Sequence, residues 1–115
     1  MSAYQRTKGH GFERTVSLWF RELGFKNAKR HLETQSQEAE EGRDLDHTGI
    51  FDVQCKVGKN LPNPYTILEQ IQDKKGQIKL GIMKRDQKPE VICMYREDFK
   101  ELLQSMIREG IIKTE

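Results

Sequence analysis

The sequence predicts an α/β domain in which a central mixed β-sheet is flanked by helices. Three observations carry that expectation. Residues 12–23 hold an apolar stripe at helical period, and residues 50–57 alternate apolar and polar side chains as a strand does. The elements read along the chain as one helix, three strands, a helix, two strands and a helix. With 115 residues, the chain has the length of one domain with one core.

Residues 1–9 carry Arg6 and Lys8 without apolar periodicity and read as a flexible basic arm, leaving residues 10–115 as the single folded domain. In the first helix, Phe12, Val16, Trp19, Phe20 and Leu23 fall at i, i+4, i+7, i+8 and i+11. Gly24 is placed to end that helix, with Phe25 folding back onto its last turn. A short strand is expected over 28–33, then a polar, mobile loop over 34–43. A hairpin follows, with strands over 43–46 and 50–57. After two prolines a short helix is expected over 66–75, opened by Asn63 or Pro64 and closed by Gly76. Residues 78–84 and 91–96 read as strands joined by the turn RDQKPE. A last helix over 97–109 turns Phe99, Leu102, Leu103, Met106 and Ile107 inward and ends at Gly110.

Apolar residues make up 35% of the chain and charged residues 33%, a polar composition that still has enough aromatic and branched side chains for a core. No apolar run is long enough to cross a bilayer, and the N-terminal residues lack the apolar segment of a signal peptide. Two cysteines, Cys55 and Cys93, sit in strand-like apolar runs, so neither a disulfide framework nor a zinc site is expected, and the expected compartment is cytoplasmic. The net charge of +2 names no partner, but its distribution is uneven. Acidic residues from Glu38 to Asp52 lie between basic groups that include Arg6, Lys8, Arg14 and Lys59. Acid flanked by base suits a site that holds a metal cation and a phosphate polyanion together, with those four cations on nucleic-acid phosphates.

The hairpin concentrates this pattern. Side chains alternate along a strand, so Phe51, Val53, Cys55 and Val57 share an apolar face, and Asp52, Gln54 and Lys56 share the other. A loop of His47, Thr48 and Gly49 would pair Leu45 with Phe51 in the core and Asp44 with Asp52 outside it. Asp44, Asp52, Gln54 and Lys56 would then crowd one face. Such a face is either fully wet or occupied by a cation, and hard oxygen donors suit Mg²⁺. Lys56 would stand beside the attacking water or the scissile phosphate. Glu13 flanks the apolar stripe of the first helix and gains meaning only if that helix packs near the hairpin. His47 reads as a loop histidine.

Asp44, nine residues, then Gln54-Cys55-Lys56 resembles the D-x(n)-(D/E)-x-K signature of the PD-(D/E)xK nuclease superfamily. The opening KGHGFERTVSLWFRELGF resembles the first helix of archaeal-type Holliday junction resolvases, and GRD…VQCK is similar to Mrr-type restriction nucleases, where glutamine replaces the acidic residue. The resemblance covers most of the chain from Lys8 onward. It implies the restriction-endonuclease-like αβββαβ core. It also implies Glu13, Asp44 and the Gln54 amide or main chain as ligands of Mg²⁺ or Mn²⁺, with Lys56 assisting the attacking water. Two departures stand out. Arg43 replaces the proline before Asp44, and Gln54 removes one negative charge, which Asp46 or Asp52 could restore. Cys55 occupies the free position and belongs to the core.

The function implied is a metal-dependent DNA endonuclease, with resolution of four-way junctions as the best-fitting task. The core uses nearly the whole chain, so DNA shape and phosphates would be read more than bases. Two symmetric cuts in a junction imply a homodimer. A compact Mrr-like restriction or repair nuclease that needs a partner for specificity, and a degenerate fold that only binds nucleic acid, remain open alternatives.

Overall fold

The computed structural model describes residues 3–31 and 42–115. Three helices and five strands occur among them: α1 (Ala3–Leu23), β1 (Lys29–Arg30), β2 (Leu45–Asp46), β3 (Phe51–Gly58), α2 (Pro64–Glu69), β4 (Ile78–Arg85), β5 (Val91–Cys93) and α3 (Arg96–Arg108). The end of the strand expected over 28–33 and most of the loop expected over 34–43 lie outside the described residues.

The main sheet has the order β3-β4-β5. Strands β3 and β4 are parallel in the register Phe51↔Ile78 to Gly58↔Arg85, and β5 runs antiparallel to β4. A parallel pair needs a crossover, and residues 59–77, with α2, supply it. Strands β1 and β2 form a separate antiparallel pair. The architecture is therefore α/β with a mixed sheet flanked by helices.

The apolar stripe of α1 buries Phe12, Val16 and Phe20 against Ala28, Leu45, Val53, Cys55, Leu80 and Ile82, and Phe51 and Val57 pack on that cluster. Gly24 ends the helix at φ 117°, a conformation that disfavours side chains. Phe25 turns back to donate to the Phe20 carbonyl at 3.0 Å, its ring edge-on to Phe20 at 5.4 Å.

Helix α1 begins at Ala3, so residues 3–9, read from the sequence as a flexible basic arm, are helical. They lack an apolar stripe because they extend past the core, and no periodicity marked them. Helix α2 starts as expected, with Asn63 capping the Thr66 N–H at 3.0 Å and Pro64 in the first turn, but it ends at Glu69. Its Ile67 and Leu68, with Ile71 beyond it, are buried. A Cβ at Gly81 would run into Ile67 and Cys93, so the glycine lets α2 approach the sheet.

The two strands of the expected hairpin do not pair as a ladder: β2 pairs with β1 and β3 with β4, and the residue before β2 meets β3 at a position other than the expected one. The Asp44 N–H donates to the Val53 carbonyl at 2.7 Å, so Asp44 lies opposite Val53 and not Asp52. A four-residue turn causes this. Phe51 N donates to the Thr48 carbonyl at 3.3 Å, and the buried Thr48 hydroxyl donates to the Phe51 carbonyl at 2.7 Å. Hydrophobic pairing alone cannot anticipate a threonine closing the turn from inside. Leu45 is fully buried, as expected.

Helix α3 is also unlike its expectation. None of its side chains is buried, and Phe99, Met106 and Ile107, expected to face inward, are 49%, 40% and 40% exposed.

Candidate functional site

The polar stripe of α1 runs beside the apolar one. Arg6, Gly9, His10 and Glu13 fall at i, i+3, i+4 and i+7, so they share one side of the helix. That side lines a cavity of about 880 Å³ together with Asp44, the end of β3 at Cys55 and Lys56, and residues 57–62. Asp86, from the turn after β4, closes one edge. Glu13, Asp44 and Lys56, drawn from three separate segments, therefore line one space. Arg6, Lys8 and Lys59 line it as well. The exposed Arg14 does not.

The two carboxylates are anchored. Asp44 Oδ2 accepts from the Cys55 N–H at 2.7 Å, which ties the carboxylate to the strand carrying Lys56. Glu13 Oε1 accepts from Arg30 Nε at 3.2 Å, and its side chain is only 16% exposed. The sequence offered no sign of that ion pair, because Arg30 belongs to a two-residue strand whose partner lies fifteen residues further on. Lys8 pairs with Asp86, seventy-eight positions away, a contact equally hidden in the sequence. Its partner raises the Lys8 ammonium above its ordinary value.

Cys55 also borders the cavity but is held neutral. Burial pushes its thiol well up, and the Asp44, Glu13 and Glu90 carboxylates push it further. A thiol kept from ionising is no nucleophile.

Gln54 does not line the cavity. It is 6% exposed, and its amide lies 3.0 Å from that of Gln70 at the end of α2. Its partners fix its orientation. With the oxygen toward Lys56 it accepts from Lys56 Nζ at 3.2 Å, and its NH₂ donates to the Gly42 carbonyl. The amide thus braces the lysine and the loop ahead of Asp44. Gln54→Glu removes the NH₂ that donates to the Gly42 carbonyl, so the variant is expected to lose about 1–3 kcal/mol of stability. Chemical denaturation measures that loss. Tighter Mg²⁺ binding by the variant would instead mean that residue 54 reaches the cavity.

Asp46 and Asp52 stand elsewhere. Both line a smaller cavity beside His47, Lys74 and Gln77. Asp52 is buried and accepts from Gln77 Nε2 at 3.0 Å. Asp46 accepts from His31 Nδ1 at 2.8 Å and Arg43 Nε at 2.9 Å. Burial raises the Asp46 carboxyl, but those two hydrogen bonds outweigh it and hold the group below its ordinary value. His47 is an exposed loop residue at φ 62°.

Among the described residues, no three His, Cys, Asp or Glu side chains converge as a metal cage. The cavity is instead lined by the hard carboxylates of Glu13 and Asp44, with Asp86, paired to Lys8, as a third at its edge. That donor set fits Mg²⁺, which retains several waters and takes one or two carboxylates plus substrate phosphate. No described helix is long and apolar enough to cross a membrane. Searches of protein-family profiles, curated proteins and solved structures find no match to this chain.

Proposed function

We propose that the protein is a metal-dependent DNA endonuclease on a restriction-endonuclease-like core, acting on branched DNA of the four-way-junction type. One observation carries this reading: Glu13, Asp44 and Lys56 share a cavity whose remaining charged side chains are mostly cationic. Glu13 and Asp44 would hold Mg²⁺ or Mn²⁺, which when bound supplies Lewis-acid activation of water and phosphate. Gln54 is not part of this ligand set, and neither are Asp46 and Asp52.

The protein's own groups have the following roles. Lys56, steadied by the Gln54 oxygen, presents its ammonium to the negative charge that develops on the scissile phosphate. Asp44 fixes the distance between that lysine and the metal-holding carboxylates through its bond to the Cys55 N–H. Arg6 and Lys59 take neighbouring phosphates, and Lys8 exchanges Asp86 for a phosphate when DNA enters. These contacts grip the backbone and carry no base information, which favours recognition by shape.

The test compares a synthetic four-way junction with a linear duplex of the same sequence, in Mg²⁺ and in chelator. Mg²⁺-dependent cutting near the branch point is expected. Equal cutting of the duplex would move the reading to a restriction or repair nuclease. Binding without cutting in either Mg²⁺ or Mn²⁺ would leave a nucleic-acid-binding protein.

A further inference from the structure

Helix α1 holds two glycines, Gly9 and Gly11, inside its span of Ala3–Leu23. A glycine inside a helix destabilises it relative to alanine, because glycine has more backbone freedom to lose. The chain's own packing requires neither. Apart from chain neighbours and the helix backbone, an added Cβ would meet no atom within 4 Å at either position. The two positions differ in what they face. Gly9 lines the large cavity, and Gly11, turned about 200° from it round the helix, does not. Gly9 lies three residues after Arg6 and four before Glu13, so the three share one side of α1.

We infer that the sugar–phosphate backbone of a bound strand crosses α1 at Gly9, where the missing side chain lets the strand lie against the helix. The inference rests on the nuclease site proposed above and adds one contact to it. There, Glu13 and Asp44 hold the metal beside the scissile phosphate, and Arg6 takes a neighbouring phosphate. Arg6 and Glu13 stand about 10 Å apart along the helix axis, and both line the cavity. A strand that reaches both therefore passes over Gly9. Glycine permits the closest approach of a ligand to the protein backbone, and any side chain obstructs it. A methyl group at residue 9 would stand in the strand's path and lift the phosphate away from Lys56 and the two carboxylates. The contact touches sugar and phosphate only, so it is blind to base sequence. Gly9 thus gives up helix stability for a bare wall in the cavity, whereas Gly11 faces no such path.

Gly9→Ala, Gly9→Leu and Gly11→Ala in the full chain test this. Without DNA, all three should melt higher than wild type, the two alanine variants by about 2–5 °C, since each restores helix propensity. Affinity for a synthetic four-way junction, measured in chelator, should fall by about 5- to 150-fold in Gly9→Ala, the range for a group forced into filled space. Gly9→Leu should lose more, and Gly11→Ala should bind within about threefold of wild type. A raised melting temperature in Gly9→Ala, with binding within about threefold of wild type, would overturn the inference. So would a lowered melting temperature in Gly9→Ala, which would mean that the fold itself needs the glycine. Equal losses of affinity in Gly9→Ala and Gly11→Ala would mark a hinge at the two glycines and overturn it too. Wild type that binds the junction but cuts it in neither Mg²⁺ nor Mn²⁺ would end the nuclease reading alone, and the affinities would still decide the contact at Gly9. Wild type that binds no DNA would end both.

Discussion

Lys56→Ala is expected to lower junction cleavage by about 10²–10³-fold, the typical cost of removing a group aimed at developing transition-state charge. Binding of DNA should persist, since Arg6, Lys8 and Lys59 still line the cavity. The fold should persist as well. Lys56 lies half-buried at the end of β3, and β3 is held by its ladder with β4 and by Val53 and Cys55 in the core. Truncation removes stem packing and the donor to the buried Gln54 oxygen, a loss of about 1–3 kcal/mol. Lys56→Arg should not rescue the rate, because a planar fork cannot occupy the place of a compact ammonium held by one amide oxygen. Single-turnover cleavage with saturating enzyme separates the rate from binding. A rate within a few-fold of wild type would reduce Lys56 to a surface lysine.

The parts of this fold that repeat a pattern were visible in the residues. The stripe of α1 and the alternation from Phe51 to Val57 each commit a face to the core at several positions. Phe12, Val16, Phe20, Val53 and Cys55 are buried as expected, whereas Trp19 and Leu23 are 44% and 59% exposed. Parts fixed by single contacts were not visible. The hairpin register turned on one threonine hydroxyl, and the shift separated Asp44 from Asp52, which had looked like a carboxylate pair. The polar face of β3 was expected to be either wet or cationic. It is covered, because Gly81 admits α2 and the Gln54 and Asp52 side chains find Gln70 and Gln77. Arg30 reaches Glu13, and Asp86 the cavity, only through tertiary contact. The helical conformation of residues 3–9 carries no apolar signature, yet it places Arg6 on the same side of α1 as Glu13 and brings Lys8 to the same cavity.

Asp44→Asn is expected to abolish metal-dependent activity and most of the Mg²⁺ response, while costing little stability. The reason is a division of labour within one side chain. Asp44 Oδ2 accepts from the Cys55 N–H, and an asparagine carbonyl oxygen can accept that bond equally well. Loss from this exchange should stay near the ~0.5–1.5 kcal/mol net value of one hydrogen bond. A hard divalent cation, by contrast, depends on the formal charge of its oxygen ligands, and of the proposed ligand pair Glu13 alone would remain. Glu13 is itself partly neutralised by Arg30. Removing the Asp44 charge therefore removes one of the two carboxylates proposed to hold the cation. Two readouts keep the outcome independent of catalysis: calorimetric titration with Mn²⁺, and the rise in melting temperature on adding Mg²⁺. Both should collapse in Asp44→Asn and persist in Asp46→Asn and Asp52→Asn, whose side chains belong to the smaller cavity. An intact metal response in Asp44→Asn, with loss in either of the other two, would move the metal to that cavity and end the case for the larger one.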